Sequence, residues 1–485
     1  MSTNKVAIST LWQIASQCTM AVLSIITVKL VAIGLSKELA GMYNSAYGYL
    51  QLFGILADFG LYAVGVREMG RAKNPSIVLG HLLILRIVIL IISIGCALFF
   101  VWIIPSWRES PLPISVTIAS LVPCFTLLAG IFRTVFQIHY RMHYVFIAEV
   151  TQRIITVFLI GLVLFLGVRG TEDTRILYFF LLVGGIGALI LFVLSFLFSL
   201  LILRPQIVWD IHTLLHLLKR AAPFGMAYLC IAFYRQFDTT LIALLRPDFA
   251  IQNAYYGFVV RVTDMAFLIP TFLLNSALPL FPDGSTKSPH QTRNILERTF
   301  IAILILGTIS FLFAFLWPRP LMQLLTTQSY LSTLTSPGSD SALRILAVTM
   351  PLNGIILFGF YILLSHHHWQ PLTRALAFGA LLSFSLNLIL IPALGFIGAS
   401  LTSVVVHILL AIHLYSVAYQ TTFITLPKAT TYAWLQFSFL LAATLWVARP
   451  FLTSEIPTII GLTLCTVLMG LFFVGTGLHK TLKAL

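Results

Sequence analysis

The apolar runs in this chain are too long for the core of a water-soluble domain. Ile87 to Ile104 (IVILIISIGCALFFVWII) and Ile176 to Leu203 (ILYFFLLVGGIGALILFVLSFLFSLLIL) approach or exceed the ~20 residues with which a helix crosses bilayer hydrocarbon. A membrane barrel would alternate polar and apolar residues over segments of ~10, and no such alternation is present. Composition agrees: 59% of the 485 residues are hydrophobic, 9% are charged, and mean hydropathy is +0.99. Soluble domains carry about 25% charged residues. The expected fold class is an all-α polytopic membrane protein.

Fourteen spans are expected. Six lie near 8–34, 41–66, 79–104, 113–137, 145–168 and 175–203; six more lie near 221–245, 253–279, 295–317, 341–365, 372–394 and 396–419; a last pair lies near 431–449 and 456–478. The chain therefore divides into an N-terminal six-helix lobe (1–203), a connector (204–220), a C-terminal six-helix lobe (221–420) and an added helix pair (431–478). The connector has helical apolar spacing at Ile207, Ile211, Leu214, Leu215 and Leu218, as an amphipathic segment at the membrane surface would. The first apolar stretch runs past Leu30 without a small-residue cleavage site, so no cleavable signal peptide is expected.

Placing the N-terminus in the cytoplasm puts fifteen Lys and Arg in inside loops. Seven fall outside: Lys37, Arg108, Arg169, Arg175, Arg246, Arg319 and Arg449. The positive-inside bias thus sets both termini in the cytoplasm. It also accounts for much of the +14 net charge without nucleic acid. The five cysteines (Cys18, Cys96, Cys124, Cys230, Cys465) all sit in apolar runs, at no metal-ligand spacing, and read as packing residues. His366, His367 and His368 are adjacent and cannot all face one ion from a helix. No G-x-x-x-x-G-K-[ST] loop occurs, so any driving energy would come from gradients. No loop is large enough to house an external catalytic domain, and no enzymatic step is expected.

An internal repeat links the two groups of six. At a constant offset of 209 residues, Asn44, Tyr47, Gly48 and Tyr49 fall on Asn253, Tyr256, Gly257 and Phe258, and Lys37 falls on Arg246. Six crossings separate the copies, which makes the repeat parallel, about an axis normal to the membrane, with a substrate site between halves.

An ionisable group at the bilayer centre costs about 2.5–3.5 kcal/mol on insertion scales, and such groups face a cavity or a partner. Arg86, Arg133, Arg153, Arg344 and Glu149 lie within about two turns of a span end and are expected to snorkel. The remaining set is Lys29, Asp58, Arg235, Asp238, Arg261 and Asp264. RQFD (Arg235 to Asp238) and RVTD (Arg261 to Asp264) each place a base and an acid at i,i+3, on one helix face. One reading pairs these charges as structural ties. The other lines a basic cavity, in which Arg235 and Arg261 offer the planar fork suited to phosphate. Tyr47 and Tyr256, among many aromatics on the same helices, can stack on sugar rings or anchor the membrane interface.

Three segments carry a family resemblance. ADFGLYAVGVREMGR (Ala57 to Arg71), LLKRAAPFGMAYL (Leu217 to Leu229) and IPALGFIGASLTSVVVHI (Ile391 to Ile408) resemble the second helix end, the seventh helix entry and the turn between the eleventh and twelfth helices of Wzx-type polysaccharide flippases. That family belongs to the multidrug/oligosaccharidyl-lipid/polysaccharide (MOP) exporter superfamily. The resemblance covers most of 1–420. It implies two lobes with alternating access in the bacterial inner (cytoplasmic) membrane. It further implies an undecaprenyl-pyrophosphate-linked oligosaccharide as substrate, and as partners membrane lipids, a polysaccharide polymerase and chain-length machinery. Lys29, Arg235 and Arg261 would serve the pyrophosphate. Asp58, Asp238 and Asp264 would serve charge pairing or coupling to an H⁺ or Na⁺ gradient, with no cofactor. A multidrug exporter of the same superfamily and a lipid II flippase stand as alternatives.

Overall fold

Short polar side chains, prolines and glycines set the helix ends. α1 (Thr3–Gly34) is followed by α2 (Lys37–Asp58), where the Ser36 hydroxyl accepts a hydrogen bond from the Leu39 N–H. α2 stops because Phe59 and Gly60 both adopt positive φ, 41° and 72°, and the chain restarts as α3 (Leu61–Arg71). Gly60 is required there twice over, since a Cβ would also come within 2.7 Å of Phe224 Cβ. α4 (Pro75–Ile103) opens on proline, with no N–H to leave unpaired. A short turn, α5 (Pro105–Arg108), leads to α6 (Leu112–Ala119) and α7 (Leu121–Ile138), which together make one span, then α8 (His143–Phe165) and α9 (Thr174–Leu200). α10 (Ile211–Gln236) is capped by Asp210, whose carboxylate accepts from the His212 N–H; α11 (Asp238–Leu245) and α12 (Phe249–Ala277) follow. The rest comprises α13 (Pro289–Leu316), α14 (Pro318–Leu325), α15 (Ser339–Leu346), α16 (Thr349–Ser365), α17 (Trp369–Leu394), α18 (Phe396–Thr422), α19 (Lys428–Ala448), α20 (Glu455–Gly475) and α21 (Leu478–Leu482).

These elements belong to a computed structural model that describes residues 3–277, 289–366, 368–422 and 426–482. Lys287, His367, Lys483 and the last two residues of the expected 253–279 span lie outside the described residues. Among the described residues there is no strand; Leu35 and Thr171 form one isolated bridge. Ten helical stretches among them are long and apolar enough to cross a membrane, or eleven with α15 and α16, bent by 40°, taken as one span. The expected spans 41–66, 221–245 and 253–279 are not among them. The first is broken at Phe59–Gly60 and the second at Phe237, while the third carries Asn253, Arg261 and Asp264.

The connector is part irregular and part helical. Residues 203–210 are irregular, with Ile207 and Trp209 exposed, but from Ile211 the chain is already α10. Leu214, Leu217 and Ala221 are buried with Leu61, Val64, Leu79 and Leu82 of α3 and α4 in one core cluster. Of the expected stripe, Leu214 is buried in that cluster and Leu218 packs against it, while Ile207, Ile211 and Leu215 stay exposed; the Asp210 cap fixes where the helix starts.

The chain resolves into two compact units, residues 1–257 and 258–485. In the first, α8 packs on α1 and α9, α7 on α9, and α10 and α11 on α2. In the second, α16 packs on α13 and α18, and α17 on α18. The last helices close on α13 and α14: the Trp317 indole N–H donates to the Leu445 carbonyl at 2.7 Å, inside a cluster holding Phe437, Leu441 and Cys465.

Candidate functional site

Small residues let α2 and the start of α12 approach at backbone distance. A Cβ on Gly41 would lie 1.6 Å from the Ala250 carbonyl oxygen, and one on Gly257 would lie 2.5 Å from Asn44 Cβ. Across this crossing the Asn44 amide donates to the Asn253 carbonyl at 3.2 Å. The Asn253 amide donates to Ser45 Oγ at 2.8 Å and to the Thr239 carbonyl at 2.9 Å. Asn44 and Asn253 are repeat counterparts, 209 residues apart, so equivalent residues of the two copies touch each other. Self-contact of this kind is what a two-fold relation produces. Lys37 also crosses over, its ammonium donating to the Tyr255 hydroxyl at 3.2 Å.

Beside this crossing, Tyr256 at the start of α12 meets another expected site residue, Asp238 of α11. The Tyr256 hydroxyl donates to Asp238 Oδ2 at 2.7 Å, and both residues are 1% exposed. Asp238 is reached because the chain breaks at Phe237, placing the carboxylate in the first turn of α11. There it complements the unsatisfied N–H groups of a helix start. The same break puts Arg235 in the last turn of α10 and Asp238 at the start of α11. Arg235 is half-buried where Asp238 is sealed.

The remaining expected residues lie on α1, α2, α10 and α12. Lys29 on α1, and Arg261 and Asp264 on α12, are half-buried and each engages neighbours. Tyr47 is half-buried, its ring edge-on to Tyr43 at 4.8 Å. Tyr43, Tyr49, Tyr234 and Phe258 are interior packing residues, and the Tyr49 hydroxyl donates to the Ala97 carbonyl at 2.8 Å.

Asp58 has a partner among the residues expected to snorkel. Arg86 donates to Asp58 Oδ1 at 2.7 Å and to the Ala57 carbonyl at 2.9 Å. Its side chain is 1% exposed against 36% for Asp58. Arg86 does not reach the interface because α4 starts at Pro75, four residues before the expected start, and so carries it one turn deeper. Arg133 and Glu149 are likewise paired, at 3.1 Å. Ser16 of α1 donates to the other Glu149 oxygen, and Tyr62 of α3 donates to Gln137 of α7. Tyr62 also meets Arg133 and lies in the fields of Glu149 and Asp58. A sequence signal for this network exists in hindsight: Arg133 and Gln137, and Glu149 and Arg153, are i,i+4 pairs that each share a helix face.

Residues 6–285 match the family described as "Polysaccharide biosynthesis protein". No curated protein matches the sequence. Among solved structures, the lipid II flippase MurJ in an inward closed conformation aligns at TM-score 0.70 and 14% identity, over 98% of this chain and 99% of that one. An inward-facing MATE-family multidrug transporter of the MOP superfamily aligns at 0.65 and 13%, over 85% and 98%. The MATE multidrug transporter DinF-BH aligns at 0.62 and 14%, over 88% and 98%. These likenesses establish a MurJ/MATE-like fold.

Proposed function

Because the chain belongs to the polysaccharide biosynthesis protein family, we propose that it is a flippase that moves undecaprenyl-pyrophosphate-linked oligosaccharide repeat units from the cytoplasmic to the outer leaflet of the bacterial inner membrane. The single observation that carries this is the family match, narrowed by cations set into apolar helices. Lys29 on α1, Arg235 on α10 and Arg261 on α12 are half-buried, where a lowered dielectric strengthens their pull on a phosphorylated headgroup. The headgroup enters from the cytoplasm while the polyprenyl chain stays in lipid, and the repeated halves, 1–203 and 221–420, alternate access about it. Both termini are cytoplasmic, and a polymerase and chain-length machinery receive the product. No covalent step is required.

A lipid II flippase is the second reading, favoured by the 98% coverage of this chain by MurJ. Multidrug transport ranks third, since the MATE structures align over 85% and 88% of the chain and cationic drugs would meet cationic side chains. Arg235→Ala and Arg261→Ala each remove a charge-assisted contact of about 1.5–3 kcal/mol, or about ten- to hundredfold in affinity. Surface polysaccharide in a flippase-deficient strain should fall accordingly. Undiminished export by both variants would remove these arginines from the mechanism.

A further inference from the structure

We propose that the strap of residues 203–210, with the turn between α3 and α4 beside it, is a docking site for acidic phospholipid headgroups of the leaflet it faces. Such a site needs only that this unit spans a bilayer, whatever the protein carries across.

Backbone contacts pin the strap to the start of α4. The Gln206 N–H donates to the Ser76 carbonyl at 3.0 Å. Gly80 lets the strap in, since a Cβ there would lie 1.9 Å from the Gln206 carbonyl oxygen. The depth of this point follows from α4 itself. Its 29 residues make a rod of about 43 Å, against about 30 Å of hydrocarbon. Large apolar side chains are exposed up to its far end, at Phe99, Phe100, Trp102 and Ile103, whereas from Pro75 onward none is exposed before Ile87. The excess length therefore lies at the start, which sets the strap at the level of the headgroups.

Both an apolar edge and a set of cations are uncovered there. Ile207 and Trp209 are 77% and 70% exposed, and Val208, Ile211 and Leu215 are exposed beside them. Arg204 in the strap, and Arg71 and Lys73 in the stretch that leads to Ser76, are exposed as well. The neighbouring acids are engaged: Glu68 holds Arg220, while Asp210 caps α10 and accepts from the Thr213 hydroxyl. Among the described residues no carboxylate pairs with Arg71, Lys73 or Arg204. An indole at the acyl boundary, with uncompensated Lys and Arg at the depth of the phosphates, complements an acidic leaflet. The Gln206–Ser76 tie holds the two parts together, so Trp209 anchors the strap where the three cations meet phosphate.

Photo-crosslinking of the full-length protein tests this without transport substrate. The chain carries p-benzoylphenylalanine in place of Val208 and is reconstituted in vesicles of equal phosphatidylcholine and phosphatidylglycerol. At low salt the crosslinked lipid should be mainly phosphatidylglycerol, and high salt should weaken that preference. Arg71→Gln, Lys73→Gln and Arg204→Gln should each reduce it about fivefold. The charge-retaining Arg71→Lys and Arg204→Lys should keep it, which separates lost charge from misfolding. Arg169→Gln, in the loop between α8 and α9, should leave it unchanged. Equal capture of the two lipids, or no lipid capture at all, would overturn the proposal. So would displacement of phosphatidylglycerol by a trace of undecaprenyl pyrophosphate, which would make this a substrate contact instead.

Discussion

Arg86 and Asp58 are unequal partners, and the inequality is measurable. Asp58→Asn leaves a guanidinium buried with no counter-charge, in the range of about 3–5 kcal/mol for a broken buried pair. Arg86→Met leaves a carboxylate that is 36% exposed rather than a sealed charge. Thermal unfolding in detergent should therefore drop more for Asp58→Asn than for Arg86→Met, and the double variant should regain part of the loss. The turn before α12 gives a pH prediction. Arg246 donates to Asp248 at 2.7 and 3.0 Å, and those hydrogen bonds hold the Asp248 carboxyl below its usual 3.8. A depressed acid stabilises the fold above its unfolded value, and that contribution disappears as pH falls through the lower folded value. Both groups are partly exposed, so the effect is about 0.2–1 kcal/mol. Arg246→Gln should remove it, flattening the stability profile below about pH 4. Residue types were plain in the sequence here but depth was not. Counting turns from a span end cannot tell a snorkelling Arg from Arg86, because one helix start four residues earlier and one carboxylate on another helix decide the matter.

The α2–α12 crossing fixes how close two helices come, and glycine is the reason. Gly41→Ala would drive a Cβ into the Ala250 carbonyl, whereas Gly54 on the same helix has only Pro123 Cβ at 3.8 Å. Gly41→Ala should lower both the unfolding temperature and export, and Gly54→Ala should leave both near wild type. Long apolar helices were legible from periodicity and length, α4 and α9 nearly to their ends. The 209-residue repeat was legible as well, and its matched asparagines prove to be the touching residues. The breaks at Phe59–Gly60 and Phe237 were not, since continuous apolar sequence on both sides hides them. Nor was the true start of α10, because an apolar spacing that begins at Ile207 does not show where the helix itself begins. Asp210, three residues ahead of Thr213 and followed by an apolar run, was the available capping signal.

At the scale of the molecule, a MurJ/MATE-like fold and membership of the polysaccharide biosynthesis family meet in a chain whose apolar helices hold more bases than acids. The proposed transport of an anionic lipid-linked sugar rests on that charge, and the proposed cytoplasmic placement of the termini rests on the Lys/Arg bias between loops. The most direct test is leaflet assignment of undecaprenyl-pyrophosphate oligosaccharide in vesicles reconstituted with the purified chain, read by an impermeant lectin. Wild-type protein should expose substrate from the inner leaflet, and Arg235→Ala with Arg261→Ala should not. Equal exposure in protein-free vesicles, or exposure undiminished by the double variant, would contradict a flippase built on those cations.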